Sequence, residues 1–517
     1  MTHSTDPVGI INSNKERKTQ VVDDYLLVPQ DDPSRPAIYA SGDLYTYLIT
    51  SQETDFDFNF FDFFLPVDGG PPPHLHPYEH ETWYITAGNI RYDLGNQGTD
   101  SIVLPEGSLI FGARNRVHGY YNIDSAASIS GTVAGARTLS LTTPGALDLF
   151  FDNAGIPITD RNAPIPTFGA GGDEAYRKLA EFQLRTGAGI KFVSPDFQPP
   201  ADAQDYLLVL PEDAEGEVVE KAKKLSKIDG FSVWTTGKQE GLAQRPTIDG
   251  PFDIEYTSLA SLEETGNELS YNQFSLAPQT ANHCADVFPD SVKSDNHELF
   301  YVQEGELTFK IGDQVKLARP DTSVYIAPGQ EYSIANFGDT EVESLAVSIP
   351  QVDNPIILPD DTGYNPIEGS EDNDLLIARS KDKLLGNAGD DILKIGSGGD
   401  NLLYGGAGSD QFWIANGSLP NTVPDSRQII VQQPPFPNLL PLEDTRNTIV
   451  DFEVGIDKIY INSISGISDF DDLKLLPAFG DLRSTSIIAT LDGKDISLAN
   501  LTGVAFNQLA AEDFVFA

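Results

Sequence analysis

Gly69-Gly70-Pro71-Pro72-Pro73-His74-Leu75-His76-Pro77-Tyr78-Glu79-His80-Glu81, followed at a distance by Gly88, is the stretch on which the fold turns. Histidines at i and i+2 of an extended strand point to the same side. Glu81 can return beside them on the adjoining strand. His118 can reach them from a later strand that ends near Asn122. Three imidazoles and one carboxylate suit one divalent transition metal (Fe, Mn, Ni, Co or Cu) and leave positions open for a small-molecule substrate. The competing reading is a set of surface histidines in a Pro-rich loop. The chain has 7 histidines, and three fall on this spacing. Glu79 and His80 compete with Glu81 for the ligand role. Tyr84 and Phe60 are candidate pocket walls, although core packing is the more ordinary role for each.

Around this stretch, from Asp24 to about Thr142, short apolar runs alternate with polar residues and are broken by Gly, Pro, Asn and Asp. Phe56, Phe58 and Phe60, then Phe61 and Phe63, make one such run with a bulge where the phase changes. The pattern predicts a β-barrel or sandwich. Parts of it recur. Asp24-Tyr25-Leu26-Leu27-Val28 returns as Asp205-Tyr206-Leu207-Leu208-Val209, Glu81 and Gly88 as Glu298 and Gly305, and Asn122 as Asn336. Ser291, Lys293 and Tyr332 then occupy the positions of the three histidines, so the second copy lacks the ligand set. His283 and His297 fall off the pattern. Helical periodicity covers 173–186 and 212–227. The expected organisation is a lead-in (1–20), a metal-binding β-domain (21–145), a segment with helices (146–250), a second β-domain without ligands (251–352), a linker (353–366), repeats (367–415) and a C-terminal segment (416–517).

The repeats follow a Gly-Gly-x-Gly-x-Asp-x-apolar pattern, which marks a calcium-binding parallel β-roll. Gly405-Gly406-Ala407-Gly408-Ser409-Asp410-Gln411-Phe412 fits throughout, and Gly386 to Leu393, with Gly389 and Asp391, fits with one Gly replaced. Gly396 to Leu402, with Gly398 and Asp400, and the weaker Gly369 to Leu376, with Asp374, extend the series. Glycines allow tight positive-φ turns that expose carbonyls. The aspartates Asp374, Asp391, Asp400 and Asp410 supply hard oxygens suited to calcium. A flexible Gly/Asp linker would not place Leu393, Leu402 and Phe412 in phase.

Composition narrows the function classes. A net charge of −45 disfavours nucleic acid and anionic lipid as partners. One cysteine, Cys284, permits no intramolecular disulfide. No apolar run is long enough for a membrane span, and Met1 to Lys18 lacks the apolar core of a signal peptide.

The His-x-His, Glu81, Gly88 spacing resembles the first cupin motif, and Gly107, His118 and Asn122 resemble a looser second one. Ala113 and Asn115 stand where that second motif usually has Pro and Gly. The resemblance implies a mainly β chain with two tandem double-stranded β-helix (cupin) barrels, followed by a short parallel β-roll and a β-rich C-terminal segment. Two barrels, one with ligands and one without, resemble bicupin dioxygenases of the quercetin 2,3-dioxygenase type. That implies a phenolic or enolic substrate, O2, and Glu81 as both ligand and proton acceptor. The alternative is a non-catalytic binding protein. Residues 366–517 resemble RTX (hemolysin-type) calcium-binding proteins through the repeats, Ile449 to Ile459, and Leu509 to Phe516. This implies an uncleaved C-terminal signal, type I secretion machinery as partner and an extracellular location. A monomer is expected, because bicupins often carry their oligomer-like contact within one chain.

Overall fold

β-branched and aromatic residues in alternating runs build strands throughout the computed structural model. It describes residues 21–22, 24–40, 43–129, 133–158, 189–192, 197–201, 203–279, 288–351, 359, 361–395, 399–415, 447–462, 464–478, 480–491 and 494–516. The helix expected over 173–186, together with His283, Cys284 and Gly398, lies outside them. The helix expected over 212–227 is present as Glu217–Leu225. No helix among the described residues is long and apolar enough to cross a membrane. The described residues form two compact units, one spanning 21–353 and one spanning 354–517.

The first unit holds two β-barrels. In barrel 1, Asn59–Pro66 and His80–Ala87 flank Val133–Thr143 on either side, and Leu109–Gly112 follows. In barrel 2, Ser270–Leu276, Val342–Ile349, His297–Glu304 and Thr322–Ile326 lie in the matching order. The barrels exchange strands. Tyr25–Pro29 precedes barrel 1 in sequence but pairs with Thr322–Ile326 of barrel 2, Leu27 opposite Val324. Tyr206–Leu210 precedes barrel 2 but pairs with Leu109–Gly112 of barrel 1, Leu208 opposite Ile110. The repeated Asp-Tyr-Leu-Leu-Val sequences are these two exchanged strands.

Between the barrels lies one apolar layer. Phe58, Phe60, Tyr84, Phe111 and Leu141 from barrel 1 meet Leu269, Tyr271, Leu299, Tyr325 and Val347 from barrel 2. Part-buried bidentate pairs repeat as well. Arg35 holds Glu53 (Nη1 to Oε1, 2.8 Å), and Arg245 holds Glu264 (2.7 and 2.8 Å). Asn122 and Asn336 are twins of another kind. Each donates to two carbonyls (Leu65 and Asp124; Leu276 and Thr340) and so closes a turn.

The second unit is a β-roll of two sheets. Leu375–Ala378, Ile392–Ile395, Gln411–Ala415, Lys458–Asn462 and Phe514–Phe516 run parallel in one. Asn365–Glu368, Asp382–Leu385, Leu402–Tyr404, Thr448–Ile449 and Lys494–Leu501 run parallel in the other. An antiparallel extension, Asp481–Leu491 and Leu473–Ala478, continues the second sheet. Leu393 and Phe412 are in register and fill the interior. Leu402 is buried in the opposite sheet, where its neighbour Leu403 enters the shared core.

Candidate metal centre

Barrel 1 brings the three predicted histidines together. His74 and His118 form an antiparallel bridge, each donating its N–H to the other's carbonyl (2.8 and 2.7 Å), and Asn115 N–H holds the His76 carbonyl at 2.8 Å. All three side chains are buried, with ligand atoms within 4.8 Å of one another. Nδ1 of His74 donates to the Pro72 carbonyl at 2.8 Å, leaving Nε2 as its lone-pair nitrogen. Glu81, on the adjoining strand, places Oε2 at 3.1 Å from Nε2 of His76 and 3.6 Å from Nε2 of His118. Ser140 Oγ donates to Oε1 of Glu81 at 2.7 Å and fixes the carboxylate.

Burial and mutual repulsion hold the His74 imidazole well below its usual range. Burial also lowers His118, against the pull of Glu81. For Glu81 burial works the other way, yet the His118 and His76 imidazoles outweigh it and hold the carboxyl well below the carboxylate range. At His76 burial is likewise overcome, by Glu79 and Glu81, and the ring is pushed up to about 9. Nε2 of His76 and of His118 make no hydrogen bond of acceptable geometry. Buried nitrogens left so are costly and require a partner. Two imidazoles held neutral, a third that a bound cation would relieve of its proton, and an ionised carboxylate are a donor set that a divalent transition metal takes, so the residues fit such an ion.

The other sequence candidates separate from this centre. Glu79 is buried behind His76, with Oε2 at 3.7 Å from Nδ1. His80 points toward barrel 2, accepts from Arg114 Nε at 2.7 Å and lies 3.4 Å from Glu268. His80 faces away from Glu81 because adjacent residues of a strand point to opposite sides, and Glu79, which precedes the strand, is turned to the Nδ1 side of His76 and held there by the Gly189 N–H. By the same strand alternation Tyr84 and Phe60 do not wall the metal centre. Tyr84 stacks on Tyr271 of barrel 2 and accepts from Gln303, while Phe60 joins the inter-barrel layer. The interior beside the centre is instead filled by Trp83, Tyr45, Tyr92, Tyr120, Phe61 and Phe63, all buried. Trp83 lies 4.8 Å from His118, ring to ring. Cross-strand parity carried forward from Glu81 would have found this set. A cleft of about 1140 Å3 opens elsewhere, between the barrels, lined by Tyr84, Glu106, Asp213, Gln303 and Glu343 among others.

In barrel 2 the expected counterparts need correcting by one residue. Ser291 and Lys293 are exposed, and Val292 is the residue opposite Tyr332, as His74 is opposite His118. No group of metal-ligating residues forms there among the described residues. Ser348 Oγ donates to Glu298 Oε1 at 3.0 Å. Burial pushes the Glu298 carboxyl up to about 7.

In the roll, Asp391 and Asp410 are buried and form a ladder. Asp374 N–H donates to Asp391 Oδ1 (2.7 Å), Asp391 N–H to Asp410 Oδ1 (2.8 Å) and Asp410 N–H to Asp457 Oδ1 (2.9 Å). Oδ2 of Asp391 and of Asp410 have no hydrogen-bond partner. Gly389, Gly406 and Gly408 make the positive-φ turns above them. A Cβ on Gly408 would lie 1.9 Å from the Gly389 carbonyl, so only glycine fits. Asp400 does not join the ladder. Its carboxylate takes the Tyr364 hydroxyl and lies 3.6 Å from Lys381 Nζ. Asn401 holds the equivalent position in the opposite sheet, where it receives Asp382 N–H and donates to Asn447. Counting nine residues back from Asp410 reaches Asn401 and would have shown this. Asp457 was not among the sequence candidates, because a long insertion separates it from the repeats.

Two stretches, residues 61–129 and 285–348, match the cupin domain model. The chain has a bicupin fold. No curated protein matches the sequence. Among solved structures, AerE from Microcystis aeruginosa is similar at 8% identity, covering 63% of this chain and 99% of that one (TM-score 0.34). Protein Ylba from E. coli is similar at 9%, covering 66% and 98% (TM-score 0.37). Oxalate decarboxylase from Bacillus subtilis, in its structure at pH 4.6, is similar at 14%, covering 64% and 77% (TM-score 0.35). Likeness this remote carries no activity across.

Proposed function

We propose that this chain is an exported metal-dependent bicupin dioxygenase acting on a small phenolic or enolic substrate. The observation that carries the proposal is the buried set His74, His76, His118 and Glu81, with unsatisfied Nε2 atoms facing one carboxylate. These four residues would hold one divalent transition metal, which supplies Lewis acidity and, for Fe, Mn, Ni, Co or Cu, redox chemistry. In this reading Glu81, oriented by Ser140, would accept a proton from a substrate hydroxyl. The packed apolar interior excludes water around it. A second reading has its own support. Six buried aromatic side chains fill the space beside the centre, which favours a metal or small-ligand binding protein without turnover.

The roll belongs to the same proposal. Asp391 and Asp410, with carboxylate oxygens lacking hydrogen-bond partners under glycine turns, suit calcium. Folding of 366–517 would then follow calcium after passage through a type I secretion system. Elemental analysis of the purified chain should find calcium and one transition metal. The loaded protein should consume O2 with a flavonol. Absence of uptake with each of the five metals would remove the dioxygenase reading and leave the binding one. Circular dichroism of 366–517 should gain β-signal in millimolar calcium, and an unchanged spectrum would remove calcium-driven folding.

A further inference from the structure

Glu79 has no place in the reading above, and its surroundings are unusual. It is fully buried, yet among the described residues no lysine or arginine lies within ion-pair distance of it. A buried carboxylate without compensation is costly. Two groups face it. The Gly189 N–H donates to Oε1 at 2.8 Å and to Oε2 at 3.1 Å, and Nδ1 of His76, buried and without a hydrogen-bond partner, lies 3.7 Å from Oε2. His76 turns Nε2 toward Glu81 and the other histidines, so Nδ1 is the nitrogen away from the centre.

Gly189 is itself held by requirement. Its φ is +86°, and a Cβ there would come 2.3 Å from the Phe150 ring. Just beyond it, Lys191–Phe192 pairs antiparallel with His74–Leu75, Phe192 opposite His74. One short segment thus grips two ligand-bearing places at once: the His74 backbone by strand pairing, and His76 through Glu79.

We propose that Glu79 is a positioning residue for the metal centre, and that Gly189–Phe192 is the clamp that holds it against His76. The inference rests on the reading of His74, His76, His118 and Glu81 as a metal site. A carboxylate facing the non-ligating nitrogen of an imidazole favours Nδ1–H, fixes the ring's orientation and makes Nε2 a stronger donor. Loss of such a partner typically weakens metal affinity by about 10- to 100-fold.

The test is a Co(II) titration of the full metal-free chain, followed through the visible d–d bands, for wild type, Glu79→Asp and Glu79→Gln. The Kd should rise by about 10-fold or more in Glu79→Gln, with a shifted band envelope. The shorter carboxylate of Glu79→Asp keeps the charge and should fall between. The thermal midpoints of the three metal-free proteins serve as the control for folding. Equal Kd and equal spectra in wild type and Glu79→Gln overturn the inference while leaving the metal site standing. Should Glu79→Gln fail to fold, the Asp variant decides alone, and a wild-type Kd and spectrum there overturn the inference. A wild-type chain that takes no cobalt defeats the metal site itself, and the role of Glu79 with it.

Discussion

The two barrels share a frame and differ in their contents. Both have the part-buried Arg–Glu pair, the Asn-closed turn, a glycine at positive φ (Gly88, Gly305) and a glutamate at the start of the same strand. In barrel 1 that glutamate, Glu81, faces imidazoles and is held strongly acidic. In barrel 2, Glu298 faces hydroxyls, and burial pushes it up to about 7. Val292, Ser294 (two residues beyond Val292, as His76 is beyond His74) and Tyr332 in place of the three histidines therefore do more than delete ligands. They turn a charged acceptor into a carboxyl that half-holds its proton at neutral pH. The frame needs the packing and the turn. The chemistry needs only the side chains pointing inward.

The largest expected effect separates the barrels outright. His118→Ala should take transition-metal content from one ion per chain to none, while Glu298→Ala should leave it unchanged, as read by elemental analysis. Retention of metal in His118→Ala would break the assignment to barrel 1. Next come the mirrored arginines. Removing one partner of a fully buried ion pair costs about 3–5 kcal/mol, and Arg245→Ala, which leaves Glu264 25% exposed, should fall below that range in urea unfolding. Arg35→Ala strands Glu53, 5% exposed, and should cost the more of the two by about 1 kcal/mol, since water screens the more open Glu264. A near-zero cost for either would show that the repeated pair does not support the repeated frame.

The smallest effect concerns pH. Glu298 titrates at about 7 in the folded chain and near ~4.3 when unfolded. Between these values the folded chain binds more protons, so the Glu298 share of stability falls as pH rises. That share is fully present below the unfolded value and is lost through pH 7. The full shift corresponds to about 3.7 kcal/mol; Glu298 is only partly buried and solvent screening reduces this, so Glu298→Gln should gain on the order of 2 kcal/mol relative to wild type at pH 8, and show little gain at pH 4. Unfolding midpoints at the two pH values check it. A parallel shift at both would mean that the carboxyl does not titrate as its burial requires.

How much of this was legible in the sequence depends on range. The His74, His76, Glu81, His118 set was readable because strand parity and local spacing fix it. The Asp-Tyr-Leu-Leu-Val repeat was readable as a repeat. Its pairing was not, since each copy bonds to the barrel it does not precede, and no local pattern encodes a partner far away in the chain. Tyr84 and Phe60 could not be placed for a related reason. Both faces of their strands are apolar, one closing the barrel and the other meeting its twin, so the hydrophobic pattern does not tell interior from interface. The one-residue offset at Val292 follows from the short strand Val292–Lys293, whose register rests on its pairing with Tyr332 rather than on its own composition.

The strand exchange has a consequence for inheritance. Each barrel's outer strand pair is completed by a segment that sits, along the chain, on the far side of the other barrel's sequence or between the two. A lineage could strip barrel 2 of every ligand at no cost to the centre in barrel 1. Deleting barrel 2 is another matter, for that would leave Tyr25–Pro29 without a sheet and expose the apolar layer. The silent copy is therefore not free to disappear. Its side chains can drift toward any function that its interior will accept, while its backbone remains bound to its twin.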